Sequence, residues 1–248
     1  MKKLVFKLIF GFIILPASLA GTLFYLNKNG FFNIQNIEVV LENPSVGQEP
    51  FLKPHIENLH ALLAKYQGQS LWNVKLTNID KEVSHLDWVE SSMLTRSWPS
   101  TLEIKVKPYE VKLLFMSKNG KLVPIIKNGS FLQPVEVKEA PDVALLDGES
   151  FAKKTELRKK AVDVFEQIPA DGSFSKKTIS EIRFDDKEGF WMTMIKTGVR
   201  VKIGEDQVAL KAARVSQVVD YLDTHQFDAR VIDANLSKKV LVRLRKDP

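Results

Sequence analysis

The residue types that most often carry out chemistry are scarce in this chain. Cysteine is absent, which excludes disulfide bonds, cysteine-ligated zinc and thiol nucleophiles. The histidines do not recur at the i, i+4 spacing that places two metal ligands on one face of a helix. No nucleophile-elbow, S-x-x-K or phosphate-loop motif is present. We therefore expect no metal site and no cofactor, with His55, His60, His85 and His225 solvated or packed.

Two pairs of adjacent carboxylates are the remaining candidates for acid–base catalysis. Asp185-Asp186 flanks a loop between two predicted strands, whereas Glu205-Asp206 precedes a predicted helix. Acidic residues at the start of a helix interact favourably with the helix dipole. Both positions favour structural roles, so the sequence predicts a protein that is not an enzyme and has no small-molecule substrate.

The charge distribution argues against a nucleic-acid partner. Of 248 residues, 36 are Lys or Arg and 30 are Asp or Glu, which gives a net charge of +6. This is a mixed surface with a basic bias, not the clustered basic stripe of a nucleic-acid-binding protein. The short basic runs Arg158-Lys159-Lys160 and 243–246 are typical of solvated faces, with contact to anionic lipid as the alternative.

The N-terminal segment predicts a membrane anchor. Three lysines in residues 1–7 precede Leu8–Leu26, a run of 19 residues without charge. As a helix this run would span roughly 28 Å, about the thickness of the hydrocarbon core of a bilayer. The lysines place residues 1–7 in the cytoplasm and the remainder outside it. A cleaved signal peptide is the alternative, because Ser18-Leu19-Ala20 is an acceptable cleavage site, although the apolar run continues beyond it.

Residues 31–107 predict a small α+β domain in which strands and two helices follow in the order β-α-(β)-α-β-β. Its clearest element is Thr101–Lys107, which alternates polar and apolar residues as a half-buried strand does. A turn at Trp98-Pro99-Ser100 precedes that strand. We expect Arg96 to pair with a carboxylate or cap backbone carbonyls, and Trp88 and Trp98 to be core and corner residues.

Residues 108–248 predict a second α+β domain. Short apolar runs separated by Asn-Gly dipeptides indicate hairpins. Two amphipathic helices are expected at 154–168 and 206–222, and final strands at Ala229–Asp233 and Lys239–Arg245. The pattern favours a long, largely antiparallel sheet with helices packed against it.

An ordered set of short motifs resembles the FtsQ/DivIB family of bacterial division proteins, with its POTRA domain and C-terminal β domain. The motifs occur along nearly the whole chain: F-x-I-x-x-I-x-V from Phe32, G-x-S-L-W-x-V from Gly68, L-x-W-V from Leu86, R-x-W-P-x-T-L-x-I-x-V from Arg96, I-S-E-I from Ile179, G-V-R-V-K-I-G from Gly198, K-x-x-R from Lys211 and V-I-D from Val231. Asp233-Ala234-Asn235 stands where the family has D-L-R.

The resemblance implies a single-pass, non-catalytic protein of the inner membrane at the division septum, linked to the peptidoglycan-synthesising machinery. In this family the last strands bind an FtsB/DivIC-type coiled-coil partner, which works with an FtsL-type protein, by strand addition at an open edge. The corresponding residues here are Leu236, Ser237, Lys239, Val240 and Val242, with Arg183 as a further cation of the same site.

The hydrogen-bonding groups of the last predicted strand also favour this edge as a binding site. A final strand with no element after it leaves unpaired backbone groups unless a partner covers them. The alternative is that this strand is internal and simply ends the fold. Two other functions remain open: a POTRA-containing envelope assembly or secretion module, and a periplasmic enzyme with a signal peptide.

Overall fold

A computed structural model of the chain describes residues 11, 14–117, 119–236 and 239–245. The described chain forms two compact units. The first contains the residues up to Pro44 together with Lys53–Pro108. The second contains Ser45–Leu52 and the residues from Tyr109 onward.

The N-terminal helix α1 (Leu15–Lys28) has no buried residue, and most of its large apolar side chains are exposed: Leu15, Leu19, Leu23, Phe24 and Tyr25. The predicted span Leu8–Leu26 lies partly outside the described residues. Among the residues that are described, no helix has the length and apolar character needed to cross a membrane.

The first unit has a three-stranded sheet in the order β1-β3-β2. Its elements are β1 (Asn36–Leu41), the part of α2 (Glu49–Leu63) from Lys53 onward, a 3-10 turn (Ala64–Tyr66), α3 (Leu76–Ser84), β2 (Val89–Ser97) and β3 (Thr101–Pro108). β3 pairs with β1 in parallel and with β2 antiparallel. The alternation predicted for β3 is confirmed, since Leu102, Ile104 and Val106 are completely buried between exposed or half-buried neighbours.

Arg96 and the tryptophans have structural roles in this unit. Arg96 donates hydrogen bonds to the carbonyls of Leu71 (2.7 Å) and Val74 (2.8 Å), so the predicted capping of carbonyls is confirmed. Trp88 is a core residue, whereas Trp98 lies half-exposed in the turn between β2 and β3.

Three boundaries in this unit differ from the sequence prediction. Because proline is tolerated in the first turn of a helix, the sequence predicts a helix from about Pro54 to Tyr66, but α2 begins at Glu49 and contains Pro54. The sequence predicts a first strand at Phe31–Leu41, but the strand begins at Asn36, because Phe31 continues the cap of α1. The sequence predicts a short strand or an extended segment at Ser70–Leu76; the structure has an isolated bridge between Asn33 and Ser70 and a turn at 71–73.

The second unit has an eight-stranded sheet in the order β11-β10-β9-β8-β7-β6-β4-β5. Its strands are β4 (Val111–Met116), β5 (Leu122–Ile126), β6 (Leu145–Asp147), β7 (Ile179–Asp185), β8 (Gly189–Met194), β9 (Arg200–Lys202), β10 (Ala229–Asp233) and β11 (Leu241–Leu244). Its helices are α4 (Glu149–Lys153), α5 (Thr155–Glu166) and α6 (Val208–Thr224), with 3-10 turns at Val137–Glu139 and Lys176–Thr178.

The predicted largely antiparallel sheet is instead mixed. Among the strands of the described residues, β4–β6, β6–β7 and β9–β10 pair in parallel, and the other four pairs are antiparallel. Helices α4 and α5 lie between β6 and β7 in the chain, and α6 lies between β9 and β10. Each is a crossover long enough to return the chain to the same end of the sheet, which parallel pairing requires.

One face of this sheet forms the core with α5 and α6. Completely buried residues of neighbouring strands and helices share this cluster, among them Ile182, Val201, Ile232, Ala161 and Val215. The other face carries most of the charged side chains of β7–β11 and is where the candidate site lies.

The prediction that the basic run 158–160 is solvated is wrong at Arg158. Its side chain is buried, and its guanidinium donates to the carbonyls of Gly129 (2.6 Å) and Phe151 (2.7 Å) and lies over the ring of Phe131. Burial lowers the pKa of this group, and the planar array of donors satisfies several carbonyls at once.

Candidate partner-binding edge

Strand β11 is the last strand of the eight-stranded sheet. It pairs antiparallel with β10, with Asp233 opposite Leu241, Ile232 opposite Val242 and Val231 opposite Arg243. Within the described part of the chain, no strand pairs with its outer side. An unpaired edge presents a row of backbone donors and acceptors to any extended segment that approaches it.

The direction of the backbone amides in β11 follows from one hydrogen bond. The amide of Arg245 donates to the carbonyl of Asp228 across the strand pair (2.8 Å). Because amides along a strand point alternately to either side, those of Leu241 and Arg243 also point toward β10. The amides of Val242 and Leu244 therefore point outward, to the free edge.

The side chains of β11 alternate between the two faces of the sheet. Val240 and Val242 are partly buried and pack against the core cluster. Leu241 lies on the opposite face with 49% of its surface exposed, and Leu244 is 51% exposed. The partly buried valines hold the strand in place, whereas the apolar side chain of Leu241 is left accessible beside the edge.

A register row crosses the open face of the sheet and ends at Leu241. The residues of this row are Asp147, Arg183, Trp191, Lys202, Asp233 and Leu241, each opposite the next on neighbouring strands. Residues in one register position share a face, so these side chains lie side by side. In this row Trp191 lies between the basic residues Arg183 and Lys202, and the acidic residues Asp147 and Asp233 lie outside them.

Ion pairs order the charged side chains of this row. Arg183 donates from Nε to Oδ2 of Asp147 (2.9 Å) and from Nη2 to the same oxygen. The hydrogen bond to Asp147 raises the pKa of the Arg183 guanidinium. Lys202 Nζ lies 2.9 Å from Glu188 Oε1 and 3.8 Å from Asp233 Oδ2, and the hydrogen bond to Glu188 raises the lysine pKa.

A shallow depression of about 430 Å³ lies on this face around Trp191. The guanidinium of Arg200 and the ammonium of Lys202 lie 5.9 Å and 5.8 Å from the Trp191 ring centroid. The other lining residues include Arg183, Glu181 and Glu188. The carboxylates of Glu181, Asp185 and Glu188 lie beside these cations, so charges of both signs border the aromatic surface. Such a surface offers contacts to a peptide segment that carries apolar and charged residues.

A buried polar contact fixes the chain where it leaves β10. Lys211 of α6 is almost completely buried and donates to Asn235 Oδ1 (2.9 Å) and Asp206 Oδ1 (2.7 Å). Asn235 Nδ2 donates to the carbonyl of Glu188 (3.3 Å). Asn235 lies against Gly204, which has a φ of +75° and leaves no room for a Cβ. Asn235, which departs from the family pattern, thus holds the start of the β10–β11 connection.

The predicted binding residues divide into three groups. Lys239, Val240 and Val242 lie on or beside β11, with Lys239 exposed, and Leu236 is half-buried in the connection before it. Ser237 lies outside the described residues. Arg183 is four strands away on β7, which is about 19 Å at the usual strand spacing, although it shares the open face and the register row of Leu241.

Four residues of this surface were not predicted from the sequence: Leu241, Arg243, Trp191 and Lys202. The alternation of residues 239–245 could have indicated Leu241 and Arg243. If Val240 and Val242 face the core, Leu241 and Arg243 must lie on the other face of the strand. No local signal placed Trp191 and Lys202 beside them, since that requires knowing the order of the strands.

Several of the histidines and of the paired carboxylates make structural contacts. His85 and His225 bond through Nδ1 to carbonyls four residues earlier, and His55 stacks on Trp88. Asp185 accepts the amides of residues 187 and 188, and Asp206 pairs with Lys211. In the part of the chain that is described, no three His, Asp or Glu side chains are grouped to hold a metal ion.

Comparison with known proteins identifies both units. A family model described as "POTRA domain, FtsQ-type" matches residues 57–109, and one described as "Cell division protein FtsQ/DivIB, C-terminal" matches residues 115–235. The class defined by this fold is therefore a POTRA domain followed by an α+β domain with a mixed sheet. The chain belongs to the FtsQ/DivIB family, whose members are cell-division scaffold proteins and not a known family of enzymes.

Individual relatives agree with this assignment. The chain is 22% identical over 241 residues to "Cell division protein FtsQ" of Syntrophotalea carbinolica, covering 94% of this chain and 81% of that protein. It is 23% identical over 219 residues to the protein of the same description from Geobacter sp. strain M21, covering 86% and 79%. A "Cell division protein DivIB" from Solibacillus silvestris is 25% identical over 95 residues, covering 38% and 31%.

Proposed function

We propose that this protein is a septal scaffold that captures an FtsB/DivIC-type partner, together with an FtsL-type protein, along the outer edge of β11. The proposal rests on one observation: the outward amides of Val242 and Leu244 on a strand with no outer neighbour among the described residues. An extended partner segment would add a strand there. Main-chain hydrogen bonds would supply affinity, and pockets for alternate side chains would supply selectivity.

The open face next to β11 supplies the selectivity in this proposal. A partner strand beside β11 would place every second side chain next to Leu241 and Arg243. Residues that follow that strand would lie over Trp191 and the cations Arg200 and Arg183. We therefore expect the partner segment to combine an apolar residue for Leu241 with acidic residues for the cations.

We further propose that Leu8–Leu26 anchors the protein once in the cytoplasmic membrane, with residues 1–7 in the cytoplasm. The uncharged run and the exposed apolar side chains of α1 support this arrangement. The POTRA-like domain (31–107) and the C-terminal domain (108–248) would then lie outside the membrane. From that position the complex would connect to septal peptidoglycan synthesis.

Localisation in dividing cells tests this function. A fluorescent protein fused to the N-terminus should form a band at midcell that appears before constriction ends. The same fusion lacking the C-terminal domain is the comparison that shows which part recruits the partners. A uniform envelope signal from the full-length fusion, at a level that supports normal division, would contradict a septal role.

A further inference from the structure

Three half-exposed aromatic side chains form a patch on the first unit. Phe31, Trp72 and Trp98 are 46%, 57% and 48% exposed, and they surround the buried ring of Phe32. Ring centroids are 4.5 Å apart for Trp72–Trp98, 5.1 Å for Phe31–Phe32, and 5.8 Å and 6.0 Å for Phe32 with Trp72 and Trp98. We call Phe31, Trp72 and Trp98 the aromatic patch.

The patch is held rigidly by the backbone beneath it. The amide of Leu71 donates to the carbonyl of Phe32 (2.8 Å), which joins the segment of Trp72 to that of Phe31. The guanidinium of Arg96 binds the carbonyls of Leu71 and Val74 on either side of Trp72. Large aromatic side chains that are fixed and half-exposed keep apolar area in water, which is unfavourable unless another surface covers it.

The aromatic patch begins at the cap of helix α1. The amide of Phe31 donates to the carbonyl of Leu26 (3.0 Å), and that of Gly30 donates to the carbonyl of Asn27 (3.1 Å). With Gly30 at a φ of +76°, these two bonds form a Schellman motif that ends the helix. Phe31 is three residues beyond Lys28, so its Cα lies at most about 11 Å from that of the last helical residue.

We propose that the aromatic patch lies in the lipid–water interface of the membrane that holds α1 and so fixes the first unit against the membrane surface. The inference rests on the proposed anchor. If α1 crosses the bilayer, its C-terminal end emerges at the interface, and a rigid cap carries the patch to the same depth. Trp is enriched at this depth because its ring is apolar and its N–H is polar, and Lys28 provides a cation for the headgroups.

Fluorescence quenching in vesicles tests the position of the patch. The full chain is reconstituted in phosphatidylcholine–phosphatidylglycerol vesicles whose acyl chains carry bromine near the headgroup. The variant Trp191→Phe keeps Trp72, Trp88 and Trp98, and the variant Trp72→Phe/Trp98→Phe keeps Trp88 and Trp191. Buried Trp88 is common to both and provides the shared background. We expect bromine to quench the first variant at least about twofold more than the second.

Flotation of the same vesicles separates this inference from the proposed anchor. If the protein floats with alkali-washed vesicles but both variants are quenched equally, the anchor stands and the aromatic patch does not lie in the interface. That result would leave a partner protein as the cover of the patch. If the protein does not float, the anchor and the inference both fail. Thermal midpoints of both variants equal to that of the wild type show that the Phe replacements leave the fold intact.

Discussion

Val242 of β11 lies opposite Ile232 of β10, and both side chains face the buried side of the sheet. The side chain and the backbone amide of Val242 therefore have different roles. The side chain of Val242 holds β11 against the core, whereas its backbone amide points to the free edge. A change to the amide therefore tests partner binding, and a change to the side chain tests stability.

Replacing Val242 with proline removes an outward amide and no hydrogen bond to β10. We expect it to abolish capture of the FtsB/DivIC-type partner while costing less than about 2 kcal/mol of folding stability, because Pro is tolerated on edge strands. Val242→Ala shortens the same side chain but keeps the amide, so it should retain binding. Val240→Pro should also abolish capture and leave membrane insertion unchanged. Unaltered affinity of both Pro variants in a titration would count against the edge.

Arg183 should affect the rate of association more than stability. Its ion pair with Asp147 is exposed, and such pairs contribute at most about 1 kcal/mol. If the partner segment is acidic, Arg183→Ala should slow association several-fold at low salt and have a smaller effect at high salt. Asp147→Asn keeps the cation and is the matched control. Stopped-flow association that is equally fast for wild type and Arg183→Ala would remove Arg183 from the site.

Gly204 should be far less tolerant of a side chain than Gly198. Both have positive φ, +75° and +66°, but a Cβ at Gly204 would lie 2.2 Å from Asn235 Oδ1, whereas nothing lies within 4 Å at Gly198. Gly198→Ala should cost about 1 kcal/mol from backbone strain alone. Gly204→Ala should cost at least about 2 kcal/mol, because it also displaces Asn235 from Lys211. Equal unfolding midpoints in urea would show that the Asn235 contact does not stabilise the domain.

Acidification should weaken the ion pair between Lys112 of β4 and Glu166 at the end of α5. Lys112 Nζ lies 2.8 Å from Glu166 Oε1, and this hydrogen bond lowers the pKa of Glu166 below its ordinary value of 4.5. A group whose pKa is lowered by folding stabilises the fold above its unfolded pKa and loses that contribution as the pH falls through its folded pKa. Wild type should therefore lose more stability than Glu166→Gln between pH 6 and pH 3, by on the order of 0.5 kcal/mol.

The control for this acid-dependent loss is Asp163→Asn, which removes an exposed carboxylate from the same helix. Thermal midpoints are measured across the pH range for all three proteins. Parallel curves for wild type and Glu166→Gln would mean that the Lys112–Glu166 pair contributes nothing.

Local sequence patterns predicted most helices and strands, but they could not predict which distant strands pair with each other. The strands predicted at Thr101–Lys107 and Ala229–Asp233 are both confirmed. At Thr101–Lys107 one buried face leaves a period of two in the sequence. The mixed order of the second sheet was missed, since parallel pairing depends on which distant strands meet. For the same reason the patch formed by Trp72 and Trp98 had no sequence signal.

The burial of charged side chains was the second feature that could not be predicted from the sequence. Arg158 was placed on a solvated face because charged residues are rarely buried, yet carbonyls of Gly129 and Phe151 accept its hydrogen bonds. Lys211 is also buried, and its ammonium group donates hydrogen bonds to Asn235 and Asp206. Composition and spacing do not reveal these hydrogen-bond partners, because the partners belong to other parts of the chain and lie nearby only in the folded protein.

Amide hydrogen exchange in the complex tests the central claim most directly. The extracytoplasmic part of the FtsB/DivIC-type partner is added to the protein, and exchange is followed at single residues of β11 by NMR. Strand addition predicts strong slowing at Val242 and Leu244, with little change at Leu241 and Arg243, whose amides already point toward β10. A saturated complex in which Val242 and Leu244 exchange as fast as in the free protein would contradict binding at this edge.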